Sequence, residues 1–169
     1  QAVDEDTILV SCMQVNNETG LILPVAEIAR AVKRKKTDIL VHVDAVQAFL
    51  KLPIKLKHMP IDLLSVSGHK VHAPKGIGAL YCKKGVRILP RVFGGGQQGG
   101  IRSGTEPVEL ISAFGAAVAA QSGRIRERAA RDQALRDYLC GRLAGEPGIV
   151  VHNTARSLPH IVHLSVMGV

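Results

Sequence analysis

Two stretches, Ile39-Leu-Val-His-Val-Asp44 and Ile61-Asp-Leu-Leu-Ser-Val-Ser-Gly-His-Lys70, decide the fold. Each is a short β-rich apolar run that ends abruptly in polar residues, as a buried strand does where its tip meets solvent. Ahead of the first, Pro24 stands where a helix can open without losing a hydrogen bond. Val25, Ile28, Ala29 and Val32 then recur at i, i+3, i+4 and i+7 as one apolar face. Lys33-Arg34-Lys35-Lys36 closes that helix with charge that suits its dipole. Further out, residues 8–13 and 77–81 read as two more strands. Strand, helix and strand in this rhythm imply an α/β fold, a mostly parallel sheet with helices on both faces. In such sheets functional residues gather beyond the C-terminal ends of the strands. Asn17, Asp44 and the 67–70 turn all fall there.

Composition narrows the partners. Apolar residues make up 46% of the 169, enough for a real core, while aromatics are only 3%, too few for a base-stacking platform. Lys and Arg number 22 and Asp and Glu 14, a net charge of 22 − 14 = +8. Such an excess favours phosphorylated cofactors, acidic proteins or nucleic acid. The scarcity of rings speaks against the last, so no nucleic-acid partner is expected. Cys12, Cys82 and Cys140 are odd in number and far apart, which fits no disulfide framework and no zinc knuckle. A reducing, cytoplasmic setting is expected, with no metal site. No apolar run approaches the ~20 residues of a membrane span. The first residues lack the parts of a signal peptide. With no initiator Met, and a last stretch that stops among apolar residues, the chain is expected to be a piece of a longer protein.

Downstream, residues 94–100, Gly-Gly-Gly-Gln-Gln-Gly-Gly, read as a flexible loop that lacks the Gly-Lys-Ser/Thr of a nucleotide loop. Pro107 opens a helical region running to about Leu143, with a break near Ser122-Gly123. Leu110, Phe114 and Val118 recur at i+4, as do Leu135, Leu139 and Leu143, which predicts two apolar stripes. Arg124, Arg128, Arg131 and Arg142 are expected on the solvated side. Residues 149–151 and 161–166 read as strands of a different unit. The chain thus divides into residues 1–122 and residues 123–169, the latter a linking helix and the start of a smaller α+β domain.

Lys70 directly follows a strand, in a turn with Ser67 and His69. A lysine there can form a Schiff base, and pyridoxal phosphate needs such a lysine plus an acid for its ring nitrogen. Asp44 lies 70 − 44 = 26 residues earlier, one strand tip away after a crossover. Gln47 and Asn17 are placed to reach the phenolic oxygen of such a ring. Ser67, His69 and Thr105 are candidate phosphate donors. Each has a plainer reading. Asp44 also suits a turn or helix cap, Asn17 a turn residue in Asn-Asn-Glu-Thr-Gly, and His69 a satisfied histidine beside the lysine. His42 shares the side of the strand that bears Asp44 and is expected to pack rather than react.

At these residues the chain resembles the fold-type I, class V aminotransferase group of pyridoxal-phosphate enzymes, and within it the cysteine desulfurases. The resemblance rests on Val15-Asn-Asn-Glu-Thr-Gly20, His42-Val-Asp-Ala-Val-Gln47, Ser65-Val-Ser-Gly-His-Lys70 and Pro74-Lys-Gly-Ile-Gly-Ala-Leu-Tyr81. Gly94-Gly-Gly96 and Arg102-Ser-Gly-Thr105 extend it. It covers residues 8–120 well and the remainder loosely. It implies pyridoxal 5'-phosphate as cofactor, held covalently by Lys70, with Asp44 on the ring nitrogen, Asn17 and Gln47 on the phenolic oxygen, and Ser67 and His69 on the phosphate. It implies a homodimer, in which Thr105 reaches the phosphate of the other subunit, L-cysteine as substrate, and a sulfur-acceptor protein.

The sequence departs from the family pattern at Ala73, where a glycine is usual before Pro74. None of Cys12, Cys82 and Cys140 matches the family's persulfide-forming cysteine. That residue, the upstream phosphate loop and ring-stacking histidine, and the arginine for the substrate carboxylate are expected outside this chain. Selenocysteine lyase activity and a silent fragment that acts by association stand as alternatives.

Overall fold

Burial alternates along the second strand: Val41 and Val43 are wholly buried, while Leu40, His42 and Asp44 are half-buried. A period of two with one face against a core is what a sheet strand requires. In the computed structural model, which describes residues 2–168, this segment is β2 (Leu40–Asp44). It lies between β1 (Leu9–Met13) and β3 (Leu63–Ser67), parallel to both. β4 (Gly78–Cys82) adds an antiparallel edge to give the order β1-β2-β3-β4. The architecture is α/β with a mostly parallel sheet, and strand bounds shift from the sequence reading by a residue or two, as strand ends do.

Helix α1 (Val25–Lys35) connects β1 to β2 and opens after Pro24. Its buried Val25, Ala29 and Val32 join Val41, Val43, Ile39, Ile61 and Leu64 in one core cluster. The closing lysines do more than face the helix dipole. Lys33 reaches the buried Asp62 at 2.6 Å and the Ile39 carbonyl at 2.7 Å. Asp62 also accepts the Val41 amide at 2.9 Å and lies 3.4 Å from the Lys83 ammonium. Burial raises the Asp62 pKa, but the Lys33 hydrogen bond, the Val41 amide and the two lysine charges outweigh it and hold the carboxyl below its ordinary value. The sheet face away from Val41 carries a polar row. His42 Nδ1 shares a 2.7 Å hydrogen bond with Ser11 Oγ, and its Nε2 lies 3.2 Å from Ser65 Oγ.

The helical region breaks where expected, into α2 (Val108–Ser122) and α3 (Ile125–Leu143). Phe114 of α2 meets Phe49, on the loop after β2, edge to face at 6.2 Å between ring centroids. The stripe expected on α3 is corrected. Leu135 and Leu139 are 57% and 41% exposed, and Arg128, Asp132 and Arg136 turn inward with Ile125 and Ala129. The reason is polar: Arg128 donates to Gln121 Oε1, and Arg136 donates to the Ser157 carbonyl at 2.9 Å. A charged head with a buried acceptor outcompetes a leucine there, and the arginine stem supplies apolar cover. β5 (Ile149–Val151) and β6 (Leu164–Val166) form a separate antiparallel pair. Between them the chain returns to the first unit. Leu158 is 2% exposed and joins the main core, and its amide donates to the Gly20 carbonyl at 2.8 Å. Gly20 has φ +71°, and a Cβ there would lie 3.0 Å from Ile161 Cβ, so only glycine suits this crossing.

Candidate active site

Parallel pairing puts the C-terminal ends of β1, β2 and β3 on one edge. Met13 pairs with Asp44, and Asp44 with Ser65. Beyond the strands, the Gln14 amide donates to the Asp44 carbonyl at 2.8 Å and the Ala45 amide to the Ser65 carbonyl at 2.9 Å, so the three tips are tied to one another. Asp44 is half-buried, and its Oδ1 accepts the Val46 amide at 2.9 Å. The turn role therefore occupies one oxygen of Asp44, while Oδ2 accepts no hydrogen bond from the described residues.

From the tip of β3 the chain enters a single 3-10 turn, Gly68–Val71. Gly68 is there for space. A Cβ would meet Ile77 Cγ2 at 2.7 Å and the Ile77 carbonyl oxygen at 3.1 Å. Gly78 is equally crowded, with Val66 O at 2.7 Å. The two glycines let the β3–β4 hairpin close tightly under the turn, and the Gly68 amide donates to Ile77 O at 2.9 Å. His72 then ends the turn at φ 62°, a left-handed conformation costly for a residue with a side chain. On this platform Ser67 Oγ and His69 Nδ1 share a 2.7 Å hydrogen bond. His69 and Lys70 are exposed, and the Lys70 ammonium has no partner among the described residues.

The other candidates occupy separate loops. Gln47 is half-buried in the turn after β2. Asn17 is exposed, and the turn role falls to its neighbour: Asn16 Oδ1 accepts the Glu18 amide at 3.0 Å, the Thr19 amide at 2.9 Å and the Thr19 hydroxyl at 3.1 Å. That leaves the Asn17 side chain free of turn duty. Thr105 is exposed on a loop pinned by the Ser103 hydroxyl to the Gly95 carbonyl at 2.7 Å and by Gln98 to Glu106 at 2.7 Å. No contact within the described residues brings Thr105 to the strand tips. Sequence reasoning missed Lys51 and Gln121, which bond the turn from behind. Gln121 had a signal, since it continues the α2 stripe three residues after Val118 yet is polar.

Strand pairing brings the carboxylate of Asp44, with one open oxygen, and the turn bearing the Ser67–His69 pair and the uncommitted Lys70 amine to one sheet edge, while Asn17 and Gln47 sit on the loops that follow β1 and β2. This donor set fits a flat, anionic heteroaromatic aldehyde. Fold and tips together define a fold-type I α/β protein, the architecture of pyridoxal-phosphate enzymes. The chain belongs to the class-V aminotransferase family, whose model matches residues 1–169. Cysteine desulfurase 2 of Trichormus variabilis is 46% identical over 158 residues, which cover 92% of this chain and 39% of that protein. The putative cysteine desulfurase IscS 1 of Bacillus subtilis is 42% identical over 100% of this chain and 45% of its own length. Among solved structures, a NifS-like protein superposes with a TM-score of 0.93 at 42% identity over 98% of this chain and 45% of that one. DndA from Streptomyces lividans superposes with 0.87 at 39% identity, over 96% of this chain and 47% of that one. The chain spans less than half the length of these relatives.

Proposed function

We propose that this chain is the cofactor-holding part of a pyridoxal-phosphate-dependent cysteine desulfurase, which converts L-cysteine to L-alanine and passes the sulfur to a cysteine outside this chain. The observation that supports the reading is the Lys70 ammonium, unpartnered on the turn that follows β3, with the Ser67–His69 pair on the same turn and the Asp44 tip on the strand that pairs with β3. Bound pyridoxal phosphate supplies an electron sink for bonds at the carbon bearing the substrate amine. Lys70 holds it and moves protons at that carbon. Asp44 Oδ2 keeps the ring nitrogen protonated. Asn17 and Gln47 orient the phenolic oxygen. Ser67 and His69 bind the phosphate, and Thr105 serves the phosphate site of a partner copy in a homodimer.

The names of the relatives support desulfuration over the selenocysteine alternative, and SspA, 35% identical over 94% of this chain, was solved in complex with cysteine. Three free cysteines fit a reducing, cytoplasmic setting. No helix among the described residues is long and apolar enough to cross a membrane. Residues 1–122 act as the large domain and 123–169 lead into the smaller one.

The test is to load the chain with pyridoxal phosphate, reduce with borohydride and map the modified peptide. Label is expected at Lys70 and lost in Lys70→Ala. Scatter over surface lysines would end the reading. Alanine release from L-cysteine is expected to be absent in this chain by itself, because none of its cysteines takes the sulfur.

A further inference from the structure

Two carbonyls at the end of the 3-10 turn, those of Lys70 and Val71, have no following turn to accept hydrogen bonds from. Side chains from other elements take them. Lys51, on the loop after β2, donates from Nζ to the Lys70 carbonyl at 3.1 Å. Gln121, buried in the last turn of α2, donates from Nε2 to the Val71 carbonyl at 2.5 Å. Arg128 of α3 holds the other end of that amide through Gln121 Oε1. Behind the turn lies a small cleft lined by Lys51, Arg128, Asp132 and His160.

We propose that Lys51 and Gln121, backed by Arg128, are positioning residues that clamp the carbonyl side of the Lys70 turn and tie it to α3. The proposal rests on the reading of Lys70 above, since a turn that carries the cofactor amine must hold its direction closely. The clamp is bipartite. Gln121 sits where an apolar residue would pack more simply, and both ends of its amide are engaged. Lys51 brings a cation into a cleft already crowded with charge.

The groups that face Lys51 are Arg128 and Asp132 from α3, Lys70 from the turn, and His160 from the segment before β6. Burial first, then the Arg128 and Lys70 charges, lower the Lys51 pKa to about 8, with Asp132 opposing. Burial first, then the Lys51 charge and after it those of Arg128 and Lys70, also lower the pKa of His160, with Asp132 opposing. In the proposed opening, Lys51 leaves the cleft together with the turn, and its pKa returns toward the ordinary lysine value. Between about 8 and that value the open form therefore binds more protons than the closed form. Opening becomes harder as pH rises through 8, by a limit of about tenfold per pH unit for one proton.

Millisecond amide exchange of residues 68–73 in this chain, corrected for intrinsic base catalysis, reads the clamp directly. Protection is expected to rise above pH 8 in the wild type. It is expected to be flat with pH in Lys51→Met and in Lys51→Arg, the second being the gentler change and charged throughout. Gln121→Leu is expected to lose protection several-fold at every pH while keeping the slope, which a merely structural loss at Lys51 would not mimic. Thermal melts verify that each variant is folded. A wild-type slope surviving in either Lys51 variant, or full protection in Gln121→Leu, overturns the proposal. In parallel, borohydride labelling at Lys70 is expected to fall several-fold in Lys51→Met relative to other lysines. Absence of Lys70 labelling in the wild type would defeat the cofactor reading, while the exchange profiles would still decide the clamp.

Discussion

Val41 and Val43 of β2 are wholly buried and Ile39 beside them has no exposure, whereas α3 runs from Ile125 to Leu143 without one buried residue. The first region is held by apolar side chains interlocked across strands and α1. The second is held by hydrogen bonds from its inward charged face, Arg128 to Gln121 and Arg136 to Ser157. Side chains packed on all sides resist any change in volume. A helix fastened at a few polar points tolerates change between those points. The strand tips that carry Asp44 and Lys70 belong to the rigid region, and α3 touches them through the clamp.

The largest blow to the rigid region is expected from Asp62→Ala. Asp62 is 3% exposed and joins α1, β2 and Lys83. Removing the buried carboxylate leaves the Val41 amide unpaired and the Lys33 ammonium with carbonyl partners only, and costs about 3 kcal/mol or more, read from urea unfolding. The same carboxylate sets an acid limit. Its folded pKa is depressed, so the stabilisation is present above the unfolded carboxyl pKa and is lost as pH falls through the lower folded one. The wild type is expected to lose stability steeply below about pH 4, and Asp62→Ala to show a shallower acid limb. An unchanged limb would move the source of acid lability elsewhere.

Next in size, paired truncations sharpen the contrast. Ile39→Ala, at a fully buried position in the core cluster, is expected to cost about 3 kcal/mol through lost burial and a residual cavity. Leu135→Ala, at a 57% exposed position on α3, is expected to stay within about 0.5 kcal/mol. Equal costs would mean that α3 is covered in solution by a surface that the leucine contacts.

These regions also differ in how much the sequence disclosed. The sheet was legible because its signal is local: a β-rich apolar run at 39–43, a polar stop at each tip, and proline at the start of α1. Lys70, Asp44, Ser67 and His69 fell on one edge because parallel strands must share an edge at their ends. The face of α3 was misjudged. Leu135, Leu139 and Leu143 do repeat at i+4, but whether leucine or arginine turns inward depends on acceptors supplied by Gln121 and Ser157. Those lie on other elements and leave no periodic trace. Lys51 was silent for the same reason, as its partner is a backbone carbonyl created by the 3-10 turn.

A smaller effect than in the core is expected at the junction of the two regions. His72 and Leu50 hold positive φ in or beside the strand-tip platform, at 62° and 57°, while turns nearer the end of the chain place Gly145 and Gly148 at such angles. A side chain in that conformation costs roughly 1–2 kcal/mol, which only a well-determined surrounding can sustain. The tight hairpin under Gly68 and the bonds to the Lys70 and Val71 carbonyls provide it. His72→Gly removes the steric cost but frees the unfolded chain by a similar amount, about 0.5–1 kcal/mol. Because His72 is exposed, little packing is lost. The urea midpoint is therefore expected to move by less than the equivalent of about 1 kcal/mol, with Lys70 labelling intact. His72→Val, β-branched and worse suited to positive φ, is expected to destabilise by about 1–2 kcal/mol. Should His72→Gly instead destabilise more than His72→Val, the imidazole would itself be holding the turn, and the rigidity of the platform would come from that side chain rather than from the sheet beneath it.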